Sequence, residues 1–471
     1  MKVLFVTSEI AGLYKRGGLG DVSHSLPVAL HGRGVDISVV MPYFEKTKIH
    51  NVICVGQMAL DYDRRRELLF IFQTVLPGSR VPVFLLRHPL LDLYDGPEGF
   101  AFFSKAVAQI YLYSQGLLGG PYDILHCNDW HTALVPLLVG ESSHLGYRER
   151  ATIQSSRAKT ILTVHNLLYQ GESGINVALK LGFPKSVFHA FETKLGPAVR
   201  FLQEGFEYAD VVTTVSPTYA KEISRGIHGK RVREVFVKRK DKILGILNGI
   251  DTTVWDPKTD AAVPVHYALR SVHTAKQEIC RRLRRSLRLP EIGVPLFGFV
   301  GRLETRQKGL DLIAAAIKTL PPTYQVAILG TGKKSIVTQF TNLANRFEHV
   351  SFTHTFDERL ARRIYAGSDV MLVPSKFEPC GLTQMIAMRY GTLPLVRKTG
   401  GLADSVRDGL DGYVFDRYTR SALILKMQEV IATYHANPEK WKAMMIRAMK
   451  KDFSWKTQAG KYIDLYKKLL G

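Results

Sequence analysis

Two glycine turns, near the two ends of a 471-residue chain, have residue types suited to holding a phosphate. Lys15-Arg16-Gly17-Gly18-Leu19-Gly20-Asp21-Val22 follows the strand-like run Val3-Leu4-Phe5-Val6. Lys398-Thr399-Gly400-Gly401-Leu402-Ala403-Asp404 follows Thr392-Leu393-Pro394-Leu395-Val396. An apolar run, a glycine turn and then a helical pattern aim backbone N–H groups and a helix N-terminus at one spot, an anion site. The near-repeat predicts two similar α/β lobes holding something phosphorylated between them. Glycine-bearing strand–helix connections occur in any α/β protein, so neither turn decides a function alone.

The elements that must carry these turns are legible as short apolar runs alternating with helical patterns. In the first half these are residues 37–41, 83–86, 124–126, 160–164, 211–215 and 243–247; in the second, 296–300, 325–329, 350–353, 370–373 and 393–396. Runs that are mostly apolar, not strictly alternating, suit parallel strands buried on both faces. The expected architecture is α/β, two doubly wound Rossmann-like domains, with ligands beyond the carboxyl ends of the strands. A boundary is expected at Asn248-Gly249-Ile250-Asp251, giving 1–247 and 248–454, with the helical segment 455–471 crossing back to the first domain.

Composition narrows the class. Length exceeds what one core serves, and 46% hydrophobic residues with 23% charged indicate a globular protein. No apolar stretch reaches bilayer length, and Met1–Glu9 reads as a buried strand, not a leader. Cys54, Cys127, Cys280 and Cys380 are scattered without a C-x-x-C pair, so neither disulfides nor zinc are expected and a reducing cytoplasm is. The net charge of +22 is concentrated in residues 225–242 and 270–288. No aromatic platforms or nucleic-acid motif accompany it, so these stretches are expected to be solvated basic surface without a specific nucleic-acid partner.

Beyond the glycine turns, six segments point to one family: Thr163-Val164-His165-Asn166-Leu167-Leu168-Tyr169-Gln170-Gly171, Thr214-Val215-Ser216-Pro217, Ile246-Leu247-Asn248-Gly249-Ile250-Asp251, Gly301-Arg302-Leu303, Gln307-Lys308-Gly309, and Phe377-Glu378-Pro379-Cys380-Gly381-Leu382-Thr383-Gln384. The chain resembles bacterial glycogen synthases and starch synthases over nearly its whole length. Those are retaining glycosyltransferases of glycosyltransferase family 5, with the GT-B fold and an active site in the cleft between its domains. The resemblance implies transfer of glucose from ADP-glucose to the non-reducing end of an α-1,4-glucan primer, glycogen or a maltooligosaccharide, with no metal and no cofactor. A UDP-glucose donor, another acceptor, or an inactive glucan- or polyanion-binding relative are the alternatives.

By the same resemblance, Arg302 and Lys308 bind the diphosphate, where negative charge grows as the nucleotide leaves. Lys15, Gly18 and Asp21 face the donor; Glu378 holds glucose hydroxyls; and Cys380, Gly381, Leu382, Thr383, Thr399 and Gly400 position it. Gly330-Thr331-Gly332 forms a further phosphate- or ribose-facing turn, Asn248 is a site residue near the hinge, and Phe356 stacks on the base. His165 contacts the glucose near the reacting bond, and Asp129, Asn166 and Tyr169 serve sugar or acceptor. Structural alternatives stand beside several of these: helix capping for Glu378 and Asp21, core packing for Phe356, solvated charge for Lys15. Cys380 has no local His partner and is not expected to be a nucleophile. Two departures concern the acceptor side: residues 92–100 are shorter than the family's, and a basic Gly226-Ile227-His228-Gly229-Lys230-Arg231 replaces its glycine-leucine loop.

Overall fold

A strand that is apolar at successive positions has to be covered on both faces, and the first strand shows how. In Lys2–Val6, Leu4 and Val6 pack into a cluster containing Phe102 and Phe103 of the helix Pro97–Tyr113. Val3 and Phe5 pack the other way, with Val22 and Leu26 of the helix Gly18–His31 and Tyr462 and Tyr466 of the helix Trp455–Leu470. The computed structural model describes the chain apart from residues 46, 48, 50, 93–95, 142–156, 228–236 and 238 and the side chains of Gln115 and Lys240. The acceptor-side departures at 92–100 and 226–231 therefore lie partly outside the described residues.

The chain divides into two compact units, 1–249 with 455–471, and 250–454. In the first, the sheet order is Ile243–Gly245, Val211–Thr214, Lys159–Val164, Ile124–Asn128, Lys2–Val6, Asp36–Pro42, Pro82–Arg87, Arg65–Val75, Ile53–Tyr62. The first seven run parallel and the last two form an antiparallel hairpin at one edge. A small antiparallel sheet of Glu172–Gly174, Gly196–Arg200 and Phe191–Thr193 sits apart from it. In the second unit six parallel strands are ordered Val350–Thr353, Gln325–Leu329, Leu296–Val300, Val370–Val373, Leu393–Arg397, Tyr413–Phe415. Both sheets are doubly wound, and each reverses winding direction beside its first strand. That places a switch point between Lys2–Val6 and Ile124–Asn128 in one unit and between Leu296–Val300 and Val370–Val373 in the other, the places where such sheets open a crevice for ligands.

One expectation about charge is corrected. The stretch 270–288 is not simply solvated surface. It forms the helix Val272–Ser286, in which Lys276 and Arg284 are buried. Lys276 Nζ donates to the carbonyls of Ala366 and Ser368 and to Thr392 Oγ1 at 2.6–2.7 Å, and burial lowers its pKa to about 8. Arg284 bonds Gln325 Oε1, while Arg281 and Arg282 pair with Glu278. These cations tie carbonyl groups and carboxylates of their own unit together. Lys230, Arg231, Arg233 and Lys238 lie outside the described residues.

In the second unit, glycines allow the loops beyond the strands to touch. A Cβ on Gly330 would lie 1.9 Å from the Gly301 carbonyl oxygen, and one on Gly400, whose φ is +43°, 1.9 Å from that of Glu378. Gly18 has nothing within 4 Å of its Cβ position. Gly330→Ala is therefore expected to destabilise the protein by about 2 kcal/mol or more, whereas Gly18→Ala leaves stability within about 0.5 kcal/mol. Urea unfolding of the two variants checks this; equal midpoints would contradict the packing role.

Candidate active site

Arg302, Lys308 and Glu378 stand at the switch point of the second unit. Residues 301–309 leave the strand Leu296–Val300, and residues 374–382 leave its neighbour Val370–Val373. The two loops are joined by an ion pair, Lys308 Nζ to Glu378 Oε2 at 2.8 Å, with Ser375 Oγ donating to the same oxygen at 2.9 Å. The Glu378 side chain is 8% exposed and that of Lys308 23%. Arg302 is exposed, and its guanidinium has no partner among the described residues. Behind the pair, Gly401 N donates to the Glu378 carbonyl at 3.1 Å, so the second glycine turn is docked on the loop that presents the carboxylate. Leu303 N donates to the Thr331 carbonyl at 2.7 Å and joins the 330–332 turn to the same loop.

The first unit builds its counterpart from residues 7–18, 128–133 and 165–170. Asp129 takes a φ of +58°, a strained conformation for a non-glycine residue. It is held there as its carboxylate accepts from the amides of His165 at 2.8 Å and Asn166 at 3.4 Å. Burial pushes the Asp129 carboxyl up to about 7, against those two hydrogen bonds, with Glu9 adding to the rise. Burial also depresses His165 to about 3, so the ring is neutral. His165 Nε2 lies 3.0 Å from Asn128 Oδ1. Lys15 and Asp21 form a half-exposed ion pair at 2.6 Å.

Each residue expected from sequence finds a place, with several corrections. The first glycine turn does not offer all its amides to a ligand: Arg16 N and Gly17 N donate to Glu9 Oε2 at 2.6 and 2.8 Å, because a buried carboxylate needs those donors. At Gly330, Gly400 and Gly401 the close neighbour is the protein's own backbone, so glycine is required there for loop packing before any ligand arrives. Glu378 caps no helix; its Oε2 accepts from Lys308 and Ser375. The helix after it is Thr383–Arg389, with Leu382 as its N-cap and Gly381 at φ +73°. Gly17, not Asp21, caps the first helix. Phe356 is 86% exposed, which excludes core packing. Cys380 is buried within its turn, and Thr399 stands at the N-cap position of the helix Gly400–Ser405. Asn166 turns its Oδ1 back to the Leu168 amide, and Tyr169 is half-exposed. Asn248 is buried, and its Oδ1 has no hydrogen-bond partner among the described residues. Sequence reading passed over Glu9, Asn128 and Ser375. The hint was position, since each lies at or just beyond the carboxyl end of a strand: Glu9 six residues before Lys15, Asn128 directly before Asp129, and Ser375 two before Phe377.

Among the described residues no group of His, Cys, Asp and Glu could hold a metal ion, and no helix is long and apolar enough to cross a membrane.

With this geometry in place, comparison with known proteins is specific. Residues 2–238 match the family described as starch synthase catalytic domain, and residues 284–451 match glycosyl transferases group 1. Glycogen synthases of Kosmotoga olearia and Anaeromyxobacter are 39% and 38% identical over 100% of this chain and 98% and 99% of theirs. The catalytic domain of starch synthase IV from Arabidopsis thaliana, solved bound to ADP and acarbose, superposes with a TM-score of 0.86 at 31% identity, over 100% of this chain and 99% of that one. Sucrose-phosphate synthase from Thermosynechococcus elongatus, at 19% identity and a TM-score of 0.59 over 99% and 98%, shares the fold.

Asp129 generates a stability test. Its folded-state pKa lies above the ordinary value of 3.8, so folding takes up a proton between about pH 4 and pH 7. Its contribution to stability is thus fully present at low pH and falls as pH climbs to 7. Asp129→Asn keeps an acceptor for both amides and has no charge to bury. Between pH 5 and pH 7.5 the wild type is expected to lose on the order of 2 kcal/mol more than the variant in chemical unfolding; parallel pH dependences would contradict the raised carboxyl.

Proposed function

The chain belongs to the starch synthase and glycogen synthase family of glycosyltransferases, and we propose that it transfers glucose from ADP-glucose to the non-reducing end of an α-1,4-glucan with retention of configuration. The observation that carries this is the Lys308–Glu378 pair beside the uncommitted Arg302 guanidinium at a switch point. A nucleoside diphosphate leaving group develops negative charge on its β-phosphate, and fixed cations there stabilise the transition state more than the ground state. Glu378, its orientation set by Ser375 and Lys308, is assigned to the glucose hydroxyls. The exposed ring of Phe356 is assigned to the adenine face. The Arabidopsis relative was solved with ADP, which supports the adenine nucleotide; the glycogen synthase names of the bacterial relatives support the glucan acceptor.

Retention follows in this reading from attack on the face the phosphate leaves. The acceptor oxygen bonds to the anomeric carbon as the carbon–phosphate oxygen bond breaks, and the departing phosphate oxygen takes the acceptor's proton. No enzymic nucleophile is assigned: Cys380 is buried. Neutral His165 is assigned to the sugar, with Lys15, Asp21, Asp129, Asn166 and Tyr169 beside it on the first unit, and no metal takes part.

An elongation assay with ADP-glucose and UDP-glucose, with and without glycogen, tests the reading. The expected result is primer-dependent transfer from ADP-glucose. Arg302→Ala and Lys308→Ala are each expected to lower kcat about 10²–10³-fold with folding retained. Unchanged turnover in either variant, or transfer from UDP-glucose alone, refutes it.

A further inference from the structure

We propose that Asn128 is a positioning residue that keeps the proton of His165 on Nε2 and so leaves Nδ1 as a hydrogen-bond acceptor for a sugar hydroxyl. This rests on the transferase reading for the identity of the hydroxyl, and on the local geometry for everything else.

Asn128 ends the strand Ile124–Asn128 and is 1% exposed. Its side-chain Nδ2 donates to the Val6 carbonyl at 3.1 Å and the His126 carbonyl at 3.2 Å. Its main-chain N–H donates to Thr132 Oγ1 at 2.6 Å. Carbonyl oxygens only accept, so the NH2 end of the amide must face them, and the orientation that is ambiguous for most asparagines is settled here. Oδ1 then points the other way, to His165 Nε2 at 3.0 Å. An amide oxygen carries no proton, so Nε2 must supply one.

The ring has only one proton to place. Burial keeps His165 neutral, and the neighbouring rings of His126 and His131 are likewise held neutral by burial. Asp129 Oδ1 accepts from the His165 main-chain amide, and no hydrogen bond joins it to the ring among the described residues. Nδ1 therefore carries a lone pair, and it has no hydrogen-bond partner among the described residues. A group in this state neither donates a proton to the leaving phosphate nor acts as a cation beside the anomeric carbon. It accepts from an O–H, and the donor glucose presents hydroxyls.

The test is spectroscopic, on the full chain labelled with 15N-histidine at pH 7.5, with His165 identified among the 15 histidines by its loss in His165→Asn. The expected wild-type spectrum shows His165 neutral and protonated on Nε2. In Asn128→Ala the ring is expected to sample both neutral tautomers, and kcat/KM with ADP-glucose to fall about tenfold, the worth of one hydrogen bond. A wild-type His165 protonated on Nδ1 or on both nitrogens overturns the proposal, as does a variant that keeps the Nε2–H form and full activity. The wild-type spectrum decides the matter even if Asn128→Ala fails to fold. It needs neither donor nor acceptor, so a wrong tautomer sinks this inference alone, whereas an inactive wild type sinks the transferase reading.

Discussion

A lysine ammonium held 2.8 Å from a mostly buried carboxylate is a poor device for stability, because desolvating two charges offsets much of their attraction. As the floor of the proposed anion site the same pair makes sense. It joins the two loops that leave neighbouring strands at the switch point, and it fixes the Glu378 carboxylate with Ser375 as a second donor. On the same loop the Arg302 guanidinium has no partner among the described residues. The surrounding backbone exists to hold that pair still: Gly400 and Gly401 pack against residues 378–380, Gly309 against Pro374, and Gly330 against Gly301. Loops so closely packed cannot drift, which is what preorganised charge requires.

The first unit has the same winding and different electrostatics. Its switch point holds neutral imidazoles at His126, His131 and His165 and a carboxyl at Asp129 raised by burial. Hydrogen-bonding groups without net charge suit hydroxyls, and cations suit a pyrophosphate. In the proposed reading the first unit offers such groups to the sugar, while the second offers Glu378 to the sugar and Arg302 and Lys308 to the leaving group. Glu9 belongs to this division: by occupying the Arg16 and Gly17 amides it fixes the glycine turn while withdrawing those donors from any phosphate.

The parallel strands were readable from sequence because burial on both faces demands runs such as Val3–Val6, Leu296–Val300 and Val370–Val373. The antiparallel hairpin Ile53–Tyr62 and Arg65–Val75 was not, since the edge strand shifts register between Cys54 and Gly56 and its neighbour exposes Leu68 and Phe70, large apolar residues, alternating with buried Leu69 and Ile71. Strands of three residues, such as Tyr413–Phe415, are too short to leave a pattern. In the site, the cations and Glu378 stood inside recognisable motifs. What sequence could not supply was partnership across distance: Glu378 to Lys308, seventy residues apart, or Asn128 to His165, thirty-seven apart. The fate of Lys276 and Arg284 was hidden for the same reason, since nothing local tells a buried cation on a basic helix from a solvated one.

The most direct measurement is a crystal structure of the chain grown with ADP. The account predicts β-phosphate oxygens within roughly 3 Å of both the Arg302 guanidinium and the Lys308 ammonium, the distance of a charge-assisted hydrogen bond. A diphosphate seated elsewhere, with Arg302 still unpartnered and the Lys308–Glu378 pair unvisited, would contradict it.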